Sequence, residues 1–165
     1  QTVVKAFEGV AERFDTTAEN CSSMIFGNPD AKTRITVFSN PYCGPCAKMH
    51  EEIKGYPGGN VCVQYVLTFF NDGMSEINRY LIAAYFKLGA ERTWELMTRW
   101  YGGGKSQGAD FFKDYGLDTE SEQVGREFAK HRKWREDDRL IGTPTVMVDG
   151  LEVSYPYSVT DYMYL

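Results

Sequence analysis

Several features that would set the class of a protein are scarce or missing in this chain of 165 residues. No apolar run approaches the roughly 18 residues of a membrane-spanning helix, and the chain carries no signal-peptide hydrophobic region. The formal net charge of −5 argues against nucleic acid as the main partner. Internal repeats and low-complexity tracts are absent. Because the chain starts with Gln1 rather than Met, we expect it to be a processed or excised segment.

Residues that bind metals are also few, with four cysteines and two histidines. Cys43 and Cys46 form a C-x-x-C pair, but the sequence has no second C-x-x-C and no H-x-x-x-H. A zinc or copper site would need such a second pair, so the sequence predicts no metal and no other cofactor. Cys62 lies in an apolar run and is predicted to be a small core residue. Cys21 lies in a polar stretch, where a free thiol, a Cys21–Cys62 disulfide and a relay to the active site are alternatives.

The first half of the chain predicts a β-α-β unit. Strands are predicted at 33–39 and 61–70, with a helix at about 43–54 between them. This crossover is long enough to pair the two strands in parallel. Helical spacing also predicts a short amphipathic helix at 2–14, inside a lead-in segment 1–20 that precedes the main domain at 21–165.

The second half changes from helical to β-type spacing. From about 74 to 140 the apolar residues follow helical periods, in four pieces separated by glycines. Strands at 145–148 and 151–155 then flank Asp149-Gly150, a strong hairpin turn. The sequence therefore predicts a helical subdomain of about 65 residues inserted into an α/β framework.

The pattern that carries chemistry is Cys43-Gly44-Pro45-Cys46, between a predicted strand and a predicted helix. Two cysteines at this spacing can close and reopen a small disulfide. The start of a helix favours a thiolate at Cys43, because its unpaired N–H groups and dipole favour negative charge. Gly44 and Pro45 give a tight turn into the helix, and the missing N–H of proline costs nothing in a first helical turn.

A second motif, Gly142-Thr143-Pro144-Thr145, directly precedes the strand at 145–148. Together with the C-x-x-C pair, it makes the chain resemble thioredoxin-fold disulfide oxidoreductases. In that family a cis-proline loop lies beside the C-x-x-C, and Pro144 and the preceding Thr143 match it by position. The resemblance implies that the backbone of Thr143 and Pro144 binds the substrate chain through β-like hydrogen bonds.

The helical region and the opening Phe26-Gly27-Asn28-Pro29-Asp30-Ala31 resemble the DsbA-like branch of this family. The segment 40–50 resembles the thioredoxin-like domains fused to bacterial vitamin K epoxide reductase homologues. These resemblances imply an extracytoplasmic protein, either periplasmic or membrane-tethered. They also imply protein thiols and disulfides as substrates and a membrane redox partner of the vitamin K epoxide reductase type.

The sequence departs from the family pattern at two positions. Thioredoxins carry a buried carboxylate six residues before the first cysteine, where this chain has Val37. They usually carry a proline five residues after the second cysteine, where this chain has Glu51. The Gly-Pro dipeptide resembles thioredoxin, whereas the insertion resembles DsbA, and these two types differ by about 150 mV in potential. The direction of electron flow therefore stays open at this point.

The predicted function is thiol–disulfide exchange on protein substrates, in the direction of disulfide formation. Cys43 is the predicted nucleophile, and Cys46 resolves the mixed disulfide. One alternative is a thioredoxin-like reductase or isomerase; another is a chaperone or binding module that uses the insertion. His50 lies on the same helix face as the cysteines, where a partly buried residue or a proton relay would fit. His131 lies among lysines and arginines and is predicted to belong to a solvated face.

Overall fold

The computed structural model describes residues 12–153, which contain a five-stranded mixed β-sheet. The described part contains five strands, which are β1 (Ile25–Phe26), β2 (Thr33–Ser39), β3 (Val61–Leu67), β4 (Thr145–Val148) and β5 (Leu151–Glu152). Their order across the sheet is β1-β3-β2-β4-β5. The central strands β2 and β3 are parallel and the outer pairs are antiparallel. The crossover between β2 and β3 confirms the predicted β-α-β unit.

The predicted strands differ from the observed ones mainly at their ends. β3 ends at Leu67 rather than at residue 70, and Phe70 is 57% exposed. β1 was not predicted, because two residues are too few for an alternating pattern. The Asp149-Gly150 hairpin is confirmed, with φ of 49° and 86° at the two turn residues. Glycine is needed at the second position, because a Cβ there would lie 2.5 Å from the carbonyl oxygen of Phe14.

Four α-helices lie in the described part of the chain. They are α1 (Gly44–Ile53), α2 (Glu76–Leu88), α3 (Ala90–Tyr101) and α4 (Glu122–Arg135). The last three form the predicted insertion. The predicted third piece of the insertion is not an α-helix: Gly104–Tyr115 consists of 3-10 turns, with a break at Gly108. The helical region ends at Arg135 rather than near 140, and a turn follows.

The hydrophobic core lies on both faces of the sheet. On one face, strand residues pack in a single cluster with residues of the helices and the 3-10 segment. This cluster includes Ile35, Val37, Val63, Tyr65, Ile53, Leu81, Trp100 and Phe112. On the other face, a smaller cluster contains Cys21, Phe38, Val66, Trp134 and Met147. Because both faces are covered, every residue of β3 is buried, as its continuous apolar run suggests.

Helix α4 is fastened to the sheet by a buried pair, Glu127 and His131, and the prediction that His131 belongs to a solvated face is wrong. His131 is 1% exposed, and its Nδ1 accepts a hydrogen bond from the Leu67 N–H at 3.0 Å. Its Nε2 lies 2.8 Å from Glu127 Oε2. The burial of His131 is not evident from its charged sequence neighbours, because one turn of a helix carries both solvated and buried positions.

Two predicted terminal elements fall largely or wholly outside the described residues. The predicted lead-in helix at 2–14 lies mostly in the undescribed residues 1–11, and the described stretch 12–17 is not helical. Phe14 from this stretch contacts Trp134 with ring centroids 6.0 Å apart. The predicted continuation of β5 to residue 155 also lies outside the described part. Within 12–153, no helix has the length and apolar character needed to cross a membrane.

Candidate active site

Cys43 occupies the N-cap of α1, as the strand-to-helix pattern predicts. Its backbone is extended, with φ −87° and ψ 124°, and its carbonyl oxygen accepts the Ala47 N–H at 3.1 Å. Gly44 and Pro45 form the exposed first turn. Cys43 is 6% exposed, whereas Cys46, one turn further along, is 1% exposed. The first cysteine therefore lies at the surface end of the pair and the second lies inside.

Cys46 lies in a buried environment without a nearby buried carboxylate. Val37, at the position where thioredoxins carry an acid, belongs to the apolar core. In the described part of the chain the only buried carboxylate is Glu127, which His131 and Lys130 engage on α4. Burial raises the pKa of the Cys46 thiol to about 11, and the backbone N–H of Asn40, 3.4 Å from its sulfur, acts in the opposite direction.

Thr143 lies beside Cys43, although 100 positions separate them in sequence. The Cys43 thiol lies 3.7 Å from the Thr143 carbonyl oxygen, and the Thr143 hydroxyl lies 3.7 Å from Cys43 Sγ. The Thr143–Pro144 peptide bond is cis, and Pro144 is half-buried. The structure therefore brings together all four residues that the sequence singled out, namely Cys43, Cys46, Thr143 and Pro144.

His50 is fully buried behind the pair, and both its ring nitrogens have hydroxyl partners. Nδ1 lies 2.6 Å from the Tyr65 hydroxyl and Nε2 lies 2.8 Å from Thr98 Oγ1. Because the Thr98 hydroxyl donates to the Trp94 carbonyl at 3.0 Å, it accepts from His50 Nε2–H, and Nδ1 then accepts from Tyr65. Burial lowers the pKa of His50 to about 4. The ring is therefore neutral, and both of its nitrogens are already hydrogen-bonded. Neither nitrogen is free to take a proton from Cys46.

The other two cysteines lie away from this site. Cys21 and Cys62 are both completely buried and both are free thiols in this structure, as are Cys43 and Cys46. Burial raises the pKa of Cys21 to about 12. The prediction that Cys62 is a small core residue is confirmed.

A groove of about 240 Å³ adjoins the active site and was not foreseen from the sequence. We call it the apolar groove, and its lining includes Phe69, Phe70, Trp134, Leu140 and Thr143. Phe70 on one side is 57% exposed, and Ile141, next to Leu140, is 92% exposed. These are the exposed large hydrophobic side chains of the described part. The groove forms where two segments far apart in sequence meet, which no local pattern reveals.

Arg135 fixes the wall of the groove that carries Phe70. Its guanidinium donates to the carbonyl oxygens of Phe69 at 2.6 Å and Phe70 at 3.0 Å. The same group lies 4.2 Å above the centre of the Phe69 ring. The backbone that presents Phe70 is therefore held in place by α4.

A family model described as thioredoxin matches residues 19–163. The chain belongs to the thioredoxin family. Among curated proteins, the thiol:disulfide interchange protein DsbC of Salmonella typhimurium is 41% identical to this thioredoxin-family chain over 51 residues. That match spans 31% of this chain and only 21% of the DsbC chain.

Solved structures with a similar fold cover most of this thioredoxin-family chain. The oxidoreductase DsbA from Xylella fastidiosa has a TM-score of 0.62 at 18% identity, with 82% of each chain covered. A thioredoxin-like oxidoreductase from Silicibacter pomeroyi has a TM-score of 0.66 at 18% identity, covering 85% of this chain and 87% of the other. The predicted fold, a thioredoxin-like α/β domain with a DsbA-like helical insertion, is confirmed.

Proposed function

We propose that this chain is a thiol–disulfide oxidoreductase that acts on protein substrates through Cys43 and Cys46. The observation that carries the proposal is the meeting of this pair, at the start of α1, with the Thr143-Pro144 loop. Family membership and the similarity to proteins named as disulfide interchange proteins and oxidoreductases support it.

In the direction of disulfide formation, the cycle starts from a Cys43–Cys46 disulfide. A substrate thiolate attacks the sulfur of Cys43, the more exposed of the two. A substrate–Cys43 bond forms, and Cys46 leaves and takes up a proton. A second substrate thiolate then attacks the substrate sulfur of the mixed disulfide and releases Cys43. The substrate loses two electrons as its disulfide forms, and the C-x-x-C pair gains them. Reduction of a substrate follows the same steps in reverse.

The surroundings of Cys43 suit a polypeptide substrate. The backbone of Thr143 and Pro144 lies beside the sulfur that would be attacked, where an extended chain can form β-like hydrogen bonds. Thr143 and the exposed Phe70 both line the apolar groove, and the exposed Ile141 lies between the lining residues Leu140 and Gly142 in sequence. An apolar side chain near the substrate cysteine would be buried there.

The proposed direction is disulfide formation outside the cytoplasm, with reoxidation by a membrane partner of the vitamin K epoxide reductase type. The DsbA-like insertion and the DsbA structures among the similar folds support this direction. The Gly44-Pro45 dipeptide and the similarity to DsbC favour the second candidate, a reductase or isomerase.

Two experiments test these proposals. Cys43→Ser should abolish turnover of a disulfide-containing protein, whereas Cys46→Ser should accumulate a mixed disulfide that mass spectrometry detects; full turnover by Cys43→Ser would disprove the mechanism. Equilibration of the Cys43–Cys46 pair with glutathione then gives its potential. A value near the roughly −120 mV of DsbA supports disulfide formation, and one near the roughly −270 mV of thioredoxin supports reduction.

A further inference from the structure

The last turn of α3 contacts the peptide that leads from β2 into the C-x-x-C turn. Trp100 Nε1 donates a hydrogen bond to the Pro41 carbonyl oxygen at 2.8 Å. The Tyr101 hydroxyl lies 2.6 Å from Ser39 Oγ. These two contacts come from adjacent residues of one helix, and they hold the residues on either side of Asn40. The helical insertion therefore contacts the chain on both sides of Asn40.

Asn40 is the residue whose backbone N–H points at the sulfur of Cys46, at 3.4 Å. Its other polar groups shape the same turn. Its carbonyl oxygen accepts the Cys43 N–H at 2.9 Å, and its side-chain Oδ1 accepts the Tyr42 N–H at 2.9 Å. Because these bonds lie within the turn, they do not fix the turn relative to the rest of the domain. The Ser39 carbonyl, in the same peptide as the Asn40 N–H, accepts the Thr68 N–H at 2.8 Å and ties the turn to the end of β3. The contacts from α3 tie the same turn to the helical insertion.

Helix α3 is itself held firmly in the core. Trp100 is completely buried and stacks on Phe112, with ring centroids 5.6 Å apart. Thr98, on the same helix, bonds to His50 of α1. The Tyr101 ring stacks on His50 at 5.1 Å. A helix anchored in this way can restrain a loop with single hydrogen bonds, because its own side chains have little freedom to move.

We propose that Trp100 and Tyr101 are positioning residues, which hold the Asn40 N–H on the sulfur of Cys46. The inference rests on the proposed function of the C-x-x-C pair. When Cys46 attacks the mixed disulfide it must carry negative charge, and no carboxylate is buried beside it in the described part of the chain. A backbone N–H aimed at the sulfur favours that charge, so its aim affects the step in which Cys46 attacks the mixed disulfide. In the direction of disulfide formation the same N–H favours the departure of Cys46. When the reduced pair attacks a disulfide reagent, the initial attack by Cys43 is unaffected.

The test separates the two steps in two variants. Tyr101→Phe keeps the ring and removes the hydroxyl, whereas Trp100→Phe removes the indole N–H together with one of the two fused rings. Reduced protein is mixed with dithiobis(nitrobenzoate) in a stopped-flow instrument. Cys43 attacks the reagent and releases one thionitrobenzoate. Cys46 then gives its proton to solvent, attacks Cys43 and releases a second thionitrobenzoate, so the protein loses two electrons and the reagent gains them. We expect an unchanged first phase and a second phase that is slower by roughly threefold to tenfold in each variant.

A matched control and a double variant make the result specific. Tyr85→Phe removes a partly buried hydroxyl outside the active site. That hydroxyl donates to the Ile25 carbonyl at 2.9 Å and accepts the Ile25 N–H at 3.2 Å, and the second phase of this variant should match the wild type. Ser39→Ala should slow the second phase as Tyr101→Phe does, and the double variant should be no slower than either. Thermal unfolding shows whether each variant is folded.

The possible outcomes distinguish a failure of this inference from a failure of the proposed function. If the wild-type protein releases a single thionitrobenzoate, the dithiol does not cycle and the proposed function fails. If the wild type shows two phases, and folded Tyr101→Phe and Ser39→Ala keep the wild-type second phase, the positioning inference is overturned while the function stands. Equal slowing by Tyr85→Phe would also overturn it, because a general loss of packing would then explain the effect.

Discussion

The Nδ1 atom of His50 lies 2.6 Å from the hydroxyl oxygen of Tyr65, inside the core and directly behind the candidate active site. The Thr98 hydroxyl, 2.8 Å from Nε2, completes the pairing of the ring. Burial lowers the pKa of His50 to about 4, from an ordinary value of 6.5. The exposed Glu51 acts against this shift and Lys54 with it, but both effects are smaller than that of burial.

The depressed pKa of His50 predicts an acid-sensitive fold. The unfolded chain binds a proton at His50 below about pH 6.5, whereas the folded protein does so only near pH 4, so stability falls as the pH drops between these values. The slope is about 1.4 kcal/mol per pH unit, or about 3 kcal/mol in total. His50→Gln keeps a donor and an acceptor but does not titrate. Urea unfolding across this range should show a flatter profile for the variant; parallel profiles would contradict the prediction.

Glu127 predicts a second pH dependence in a lower range. Burial raises the pKa of this carboxyl, but hydrogen bonds from His131, the Ser23 N–H and Lys130 outweigh it and lower the pKa to about 2. Its contribution to stability is therefore complete above about pH 4.5 and lost as the pH falls toward 2. We expect Glu127→Gln to cost about 3 kcal/mol at neutral pH, with the difference shrinking in acid.

The control for Glu127 is Glu122 on the same helix. Glu122 pairs with Arg126 at 3.0 Å, but its side chain is 92% exposed. Glu122→Gln should therefore change the free energy of unfolding by less than about 0.5 kcal/mol. Chemical denaturation of both variants at neutral pH makes the comparison. Similar losses of unfolding free energy in the two variants would show that the burial of Glu127 contributes nothing to stability.

Most of the fold could be predicted from local sequence patterns. The strand before Cys43, the helix after it and the Asp149-Gly150 turn are each encoded in fewer than about fifteen adjacent residues, and each was predicted. The meeting of Thr143 with Cys43 was predicted only through the family resemblance, because nothing in the spacing joins positions 100 residues apart.

The features that sequence reasoning missed depend on tertiary contacts. His131 is surrounded by charged residues in sequence, and only the packing of α4 on the sheet buries it. The apolar groove forms between the end of β3 and the segment after α4. The contact between Tyr101 and Ser39 joins the insertion to the framework across 62 positions. Such pairings have no periodicity to detect, so they follow from the fold and not from local pattern.

The apolar groove predicts a difference between protein and small-molecule substrates. Phe70 and Ile141 are 57% and 92% exposed. A double variant with Phe70→Ser and Ile141→Ser should therefore leave the core intact. A protein substrate that buries an apolar side chain against this surface should lose roughly 1.5 kcal/mol of binding free energy in the double variant, which raises KM about tenfold. The reaction with oxidised glutathione, which has no apolar side chain, should be unchanged. Equal effects on both substrates would show that the groove does not bind protein.

The buried thiol of Cys46 predicts how the resolving step depends on pH. Burial raises its pKa to about 11, and no buried carboxylate in the described part of the chain stands beside it to accept the proton. Because only the thiolate attacks, the second phase with dithiobis(nitrobenzoate) should accelerate about tenfold per pH unit, without a plateau below about pH 10. Tyr101→Phe should give a parallel profile at lower rates. A plateau near neutral pH in the wild type would reveal a proton acceptor for Cys46, and the apolar setting around Val37 would then not control this step.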